Sequence, residues 1–386
     1  MNIFELKQID EAALLELVRE TCNNFPNLKQ VYDDDFLKNL VTRRFCFDNY
    51  LLWLLASREQ YAIATLTEIS KFIDLLKEGD FGIHFKDKLR STNEPVFNSY
   101  LIELEFAAYY KEKGYYVQLE PKISDSGKNP EFKITSENFE VYFEAKSIFW
   151  EEMMTMSRIE TTIQDALGRT KEKYVFLIYY TPKFKSGDTS SLRRFVIEKL
   201  KEIPNNRKLP IELLFQNETD LLAKIEVVSK PKKLPYGYLG GFMRTEAFSI
   251  PGGREIRRKI SQKIPQLPKD EAGVLVIAPG QIFVHEEDVL NALYGDENAV
   301  INLEDDSARF IRIRNGTFSP GINTRLSAVI FFKKKWDEGN KRFTRDRVVF
   351  HNPFAKKKLT ADFFKDTNVK QFVPILDDNS IRMVWK

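Results

Sequence analysis

Pro130-Glu131-Phe132-Lys133-Ile134 and Val141-Tyr142-Phe143-Glu144-Ala145-Lys146-Ser147 decide the reading of this chain. Both stretches alternate with the period of a β-strand, and the residues between them, 135–140, are polar enough to turn a hairpin. Glu131 and Glu144, 13 positions apart, then sit on neighbouring strands. Within the second strand, alternation sends Glu144 and Lys146 to one face with Tyr142, and Val141, Phe143 and Ala145 to the other.

Two carboxylates and a lysine so placed are the minimum set for metal-assisted cleavage of a phosphodiester. Mg2+ prefers about six oxygen ligands at roughly 2.1 Å and keeps several waters, so a protein site supplies only one or two carboxylates. On this reading Glu131 and Glu144 hold Mg2+, with Mn2+ able to substitute, and the carbonyl of Ala145 is free to join the metal shell. Lys146 reaches the attacking water or the scissile phosphate.

Upstream, residues 97–113 read as a helix that stops at Gly114, where a glycine C-cap is expected. Tyr115 to Pro121 read as a first strand. Helix, glycine, strand, proline-acidic strand and Glu-x-Lys strand, over about residues 97–150, together resemble the PD-(D/E)xK nuclease superfamily. That resemblance implies an α/β chain with a restriction-endonuclease-like core, a mixed central sheet flanked by helices. It also implies a metal-dependent deoxyribonuclease, an endonuclease in the family's manner, serving restriction, defence or repair. Its site would combine Glu131, Glu144 and Lys146 with Glu103 from the preceding helix, Glu105 being the fallback. A glutamine on the next core helix completes the pattern, and Gln164 is the local candidate.

Glu131 stands where the family usually has aspartate, and its extra methylene carries the carboxylate about 1.5 Å further from the backbone. The substitution also fits the alternative reading, a nuclease-fold protein that binds nucleic acid or a partner protein without cutting.

Downstream, Ser157 to Lys171 have helical composition and Tyr174 to Tyr180 form an apolar run suited to a buried strand. A second helix-then-strand pair follows at Arg254 to Gln266 and Gly273 to Ala278, so Lys263 and Gln266 compete with Gln164 for the core position. The second pair is preferred. Residues 151–250 then become an α+β insertion, with a helix over 190–203 and strands over 211–215 and 223–229, inside a nuclease-like domain spanning 93–386. Residues 1–92 read as a helical accessory region, with helices over 9–22, 36–47 and 50–77, and with 79–95 as the connection to the core.

Composition excludes several other classes. At 386 residues with 43% apolar and 30% charged side chains, the chain can fill cores and solvate its surface. It has no run of 18 apolar residues to span a membrane, and Met1 to Leu6 do not resemble a secretory leader. Cys22 and Cys46 make neither a disulfide framework nor a zinc spacing, which points to the cytoplasm. Three scattered histidines, His84, His285 and His351, argue against a histidine-metal nuclease. No Walker A or dinucleotide motif is present.

The net charge of +3 is too small to identify nucleic acid by itself, so distribution matters more. Arg254, Arg257, Arg258, Lys259 and Lys263 cluster on one expected helix and are the favoured phosphate contacts. Further basic groups lie at Arg309, Arg312 and Arg314, at 333–335 and at 356–358. DNA is the expected partner, with RNA second. Double-strand cleavage would call for a homodimer or two successive nicks.

Overall fold

The structure, a computed structural model, describes residues 9–42, 50–77, 83–92, 94–123, 129–137, 139–148, 174–181, 184, 186–202, 210–229, 253–279, 284–301, 308–312, 315–366, 369–377 and 380–385. The chain forms two compact units, Met1–Phe149 with Pro251–Lys386, and Trp150–Ile250. Among the described residues no helix is long and apolar enough to cross a membrane.

The first unit opens with α1 (Glu11–Asn24), α2 (Pro26–Lys29), α3 (Asp34–Thr42), α4 (Tyr50–Ala56), α5 (Gln60–Leu76) and α6 (Ile83–Leu89). Asp10 caps α1 by accepting from the Ala13 amide at 3.4 Å. The apolar run from Tyr50 to Lys77, expected as one helix, is two. At the break, Ser57 Oγ accepts from the Glu59 amide, a local bond that competes with the helical ladder, while Arg58 turns aside to Glu20 and Thr21. The expected connection over 79–95 holds the short helix α6, whose placement matters below.

Next comes α7 (Glu94–Glu112), which ends at Gly114 in the left-handed region with φ +86. The Tyr115 amide closes the terminus on the carbonyl of Tyr110, a bond that spares the last turn an orphaned acceptor. The chain then runs through β1 (Tyr116–Leu119), β2 (Phe132–Ser136) and β3 (Phe139–Ile148), an antiparallel meander.

The second unit, considered by itself, is β4 (Tyr174–Tyr180), α8 (Thr189–Glu202), β5 (Ile211–Gln216) and β6 (Leu221–Ser229), with antiparallel strand order β4-β6-β5. Leu192 and Val196 of α8 are fully buried, as are Ala223, Ile225 and Val227 of β6.

Returning to the first unit, α9 (Gly253–Lys263) is followed by a 3-10 turn over Ile264–Gln266 and by β7 (Ala272–Pro279). Residues 254–266 were expected as a helix broken by Pro265 near its end, and the helix does give way to the turn there, since Pro265 lacks the amide that would extend it. α10 (Glu286–Tyr294), β8 (Glu297–Ile301), β9 (Ala308–Arg312), β10 (Leu326–Asp337), β11 (Arg342–His351), β12 (Val369–Asp377) and β13 (Ser380–Trp385) complete it.

The main sheet has the order β1-β2-β3-β7-β10-β11-β12-β13. β7 lies parallel to both β3 and β10, whereas β10 and β11 are antiparallel, so the sheet is mixed and the chain is α/β. β7 is the apolar run Ala-Gly-Val-Leu-Val-Ile-Ala-Pro, buried almost end to end, as a strand covered on both faces must be. Gly273 is required there, because a Cβ would lie 2.6 Å from the Arg325 carbonyl oxygen.

Alternation sorts the two layers. On one face Phe143 meets Tyr110 of α7 with ring centroids 4.9 Å apart, and Phe332 of β10 meets Phe106 at 5.0 Å. Phe132 stacks on Phe143 at 4.6 Å, locking the register in which the two residues pair. Full burial of each such ring stabilises by about 1.5–3 kcal/mol. The other face carries Glu144, and there α9 packs on β3.

Candidate active site

Because Phe132 pairs with Phe143, the next residue outward on each strand brings Glu131 opposite Glu144. The Glu131 amide donates to the Phe143 carbonyl at 3.1 Å, which fixes the backbone at the mouth of β2. Glu144 is completely buried, and Glu131 is 16% exposed.

The cation between these carboxylates comes from α9. Lys263 Nζ donates to Glu144 Oε2 at 2.7 Å and to Glu131 Oε1 at 3.0 Å. Three residues on, Gln266 presents its amide nitrogen to both oxygens of Glu144 at 3.2 and 3.1 Å. Ile256, Lys259, Ile260 and Lys263 share one helical face at spacings of three and four, and Ile256, Lys259 and Ile260 are buried, so the same stripe that packs α9 on the sheet delivers Lys263.

The opposite side of Glu131 is held from the helical region. Lys88 of α6 lies 3.0 Å from Glu131 Oε2, 3.5 Å from Glu103 Oε2 and 2.7 Å from Glu120 Oε1, with its ammonium 4.6 Å over the Tyr100 ring. Glu131 therefore ties the two layers together, one oxygen to each lysine. Glu120 adopts φ +44, a left-handed conformation that costs a non-glycine residue roughly 1–3 kcal/mol. Its amide donates to the Glu131 carbonyl at 2.8 Å.

Glu103 is the helix glutamate of the cluster. It is 1% exposed, and its Oε1 has no hydrogen-bond partner among the described residues. Glu105, two residues away and so roughly 200° around the helix, points elsewhere, to Lys334 at 3.0 Å and to Arg345.

Burial and charge drive these groups apart. Burial, then the neighbouring charge of Glu131, raises the Glu103 carboxyl well above its usual range, against the pull of Lys88. Burial would raise Glu131 as well, but Lys263 and Lys88 outweigh it and hold the group at about 2. Glu144 is pushed up to about 8 by burial, which the attraction of Lys263 only partly offsets. Burial works against the charge of Lys263, yet Glu131 and Glu144 keep its pKa above the ordinary value. The carboxyls are thus driven apart, Glu131 toward its charged form and Glu103 and Glu144 toward their protonated forms, the pattern of carboxyls crowded closely together.

Among the described residues no group of three or more His, Cys, Asp and Glu stands at metal-ligating spacing. The two facing carboxylates nevertheless fit a divalent cation, since they already converge on one cation, the Lys263 ammonium, and Mg2+ asks no more than one or two such ligands.

Lys146 lies two residues beyond Glu144 on the same face of β3, opposite Ile277 of β7. Ala145 faces the α7 layer, with its backbone in the β3–β7 ladder. Gln164 lies outside the described residues. Of the α9 cluster, Arg257 is committed to Asp296 at 3.0 Å and to the Asn315 carbonyl at 2.6 Å, Lys259 is buried, and Arg258 is exposed; the Arg254 side chain lies outside the description. The helix therefore presents no continuous basic stripe along Arg257, Lys259 and Lys263. Lys334 is likewise paired with Glu68 and Glu105, and Lys335 with Asp346.

Lys88 and Glu120 were not legible in advance. Lys88 acts across 43 residues on Glu131, from a short helix inside the supposed connection. No protein-family model, curated protein or solved structure matches the chain.

Proposed function

We propose that this chain is a Mg2+-dependent nuclease of restriction-endonuclease-like fold that hydrolyses phosphodiester bonds, with DNA as its substrate. The observation that carries this reading is the pair Glu131 and Glu144, opposed across β2 and β3, converging on one cation beside the buried carboxyl of Glu103. Helix, antiparallel meander, helix and parallel strand, as α7, β1 to β3, α9 and β7, supply the elements such a core needs, with Trp150–Ile250 inserted ahead of α9.

Glu131 and Glu144 would hold Mg2+, with the Ala145 carbonyl as a further oxygen ligand. When bound, the ion supplies charge to the phosphate and lowers the pKa of a water ligand. Lys263 offers a fixed positive charge to a phosphate oxygen in a site with little water, where such a charge is worth most. Lys146, on the same face, meets the attacking water. In hydrolysis the water oxygen forms a bond to phosphorus, the bond to the leaving oxygen breaks, and that oxygen takes up a proton; protonated Glu103 is placed to hold or return one. Lys88 keeps Glu103, Glu120 and Glu131 gathered.

The alternative, binding of nucleic acid or a partner protein without cleavage, is favoured by a specific observation: Glu144 is paired with Lys263 and inclined to stay protonated. Cleavage assays on plasmid and on short single- and double-stranded DNA and RNA, with Mg2+ or Mn2+, separate the readings. Cutting that Glu144→Ala and Lys263→Ala abolish supports the nuclease. Binding without cutting supports the alternative, and activity unchanged in the variants overturns the assignment. A cytoplasmic setting and a homodimer for double-strand cleavage belong to the same proposal, the latter testable by light scattering.

A further inference from the structure

One side chain beside the carboxylates and lysines has no part in the chemistry so far. Tyr100 of α7 precedes Glu103 by three residues, the spacing that sets two side chains on one helical face. The Lys88 ammonium, fixed by Glu103, Glu120 and Glu131, lies 4.6 Å over its ring. The negative face of an aromatic ring favours that contact, so the cation that gathers the acids also anchors the tyrosine.

The ring is engaged, and the hydroxyl is not. Lys88, Glu131, Glu103 and Lys263 all act on the phenol through their charges, which sets it within range of both lysines, one from α6 and one from α9. Among the described residues no hydrogen bond engages that hydroxyl. Burial then separates Tyr100 from its neighbours: Glu103 and Glu144 are sealed at 1% and 0% exposure, whereas Tyr100 is half-buried. A phosphodiester arriving from water therefore meets the tyrosine before it meets those two carboxyls.

A phenol offers an anion one thing, an O–H donor. Burial raises the Tyr100 hydroxyl above its ordinary value, with Lys88 opposing the rise and Glu131 adding to it, so the group keeps its proton throughout the neutral range. The nearby acids do not claim that proton, because each oxygen of Glu131 already accepts from a lysine, Oε1 from Lys263 and Oε2 from Lys88. A neutral donor, held in place by its ring and facing a site with little water, is the kind of group that steadies charge developing on oxygen.

We propose that Tyr100 is a further catalytic residue of this site, its hydroxyl donating a hydrogen bond to a non-bridging oxygen of the phosphodiester being cut. The inference rests on the nuclease reading. Tyr100 keeps its proton from start to finish and transfers nothing; it holds the phosphate and meets the charge that gathers there as the water oxygen adds.

Tyr100→Phe tests this in the full chain, because phenylalanine removes the hydroxyl and keeps the ring beneath Lys88. Wild type and variant are compared on a short DNA duplex with Mn2+, and again on duplexes carrying sulfur in place of either non-bridging oxygen at the position the wild type cuts. The variant should lose about tenfold or more in kcat with KM little changed, the split expected for a contact that strengthens in the transition state. Sulfur accepts hydrogen bonds poorly, so one of the two sulfur diastereomers should slow the wild type more than it slows the variant. A wild type that cuts beside a variant of equal kcat would overturn the role of Tyr100 and leave the nuclease reading standing. A slower variant with the same sulfur penalties as the wild type would overturn it too, since the hydroxyl would then act away from the phosphate. A wild type that cuts nothing would overturn both.

Discussion

Lys263 donates to Glu144 at 2.7 Å across 119 residues of sequence, and the same ammonium reaches Glu131 at 3.0 Å. One side chain from α9 therefore neutralises a pair of carboxylates built by β2 and β3.

Lys263→Met should unfold more easily than the wild type by about 3 kcal/mol, because it leaves Glu131 and Glu144 buried without the charge they share. Lys335→Met, which breaks only an exposed pair with Asp346, should lose less than about 1 kcal/mol. Urea unfolding of both variants checks the order; equal losses would mean that Lys263 does not hold the pair.

Cleavage kinetics divide Lys263 from Lys146. Lys263→Ala should lower kcat by about 100-fold or more if the ammonium meets the charge that develops on phosphate. Lys146→Ala should lower kcat with KM little changed, the signature of a group acting on water. A Lys146 variant with full activity would assign both tasks to α9.

The pH dependence of stability has a defined sign. Glu144 sits at about 8 against an ordinary 4.5, so the folded chain holds an extra proton between these values and loses stability as pH rises through that window, by at most about 1.4 kcal/mol per unit. Glu131, held at about 2, acts oppositely: its stabilisation is present above 4.5 and fades as pH falls toward 2. Glu144→Gln should therefore gain on the wild type from pH 5 to pH 8 in parallel denaturations. A flat difference would show that the Glu144 carboxyl is not raised.

Divalent cation and this proton compete for the same oxygens. The rise in Tm on adding Mg2+ should be larger at pH 8 than at pH 6 and absent in Glu144→Gln, and EDTA should abolish cleavage that Mn2+ restores. A rise in Tm independent of pH would place the ion elsewhere.

Glu120 offers a backbone test. Glycine tolerates φ +44 and alanine does not, so Glu120→Gly should be more stable than Glu120→Ala by about 1 kcal/mol, although both lose the contact with Lys88. Reversal of that order would mean that the turn relaxes once the carboxylate is gone.

Local alternation was enough to place the strands around Glu131 and Glu144, because β2 buries Phe132 and Ile134 while Lys133 and Thr135 are only half-buried, and a shift of one residue would exchange the two sets. Periodicity likewise gave α7 and its stop at Gly114. What it could not give was the partner of each carboxylate. Lys263 and Lys146 are equally basic in sequence, and only the packing of α9 on β3 distinguishes them. Glu103 and Glu105 were separable only once the helix was rotated against the sheet. Lys88 belonged to a stretch read as a connection, and no local pattern carries a contact made 43 residues away.

The central position of β7 has a consequence for synthesis. The meander β1 to β3 leaves the ribosome first, with the flank of β3 that β7 will cover still bare. Residues 150–250 and α9 must be translated before that flank is covered, a wait on the order of ten seconds at 5–20 residues per second. For that interval the nascent chain exposes an unpaired strand edge, the kind that recruits other strands. The carboxylate pair also lacks Lys263 throughout, so a chain released early would carry the acidic residues of the site without the cation that completes it.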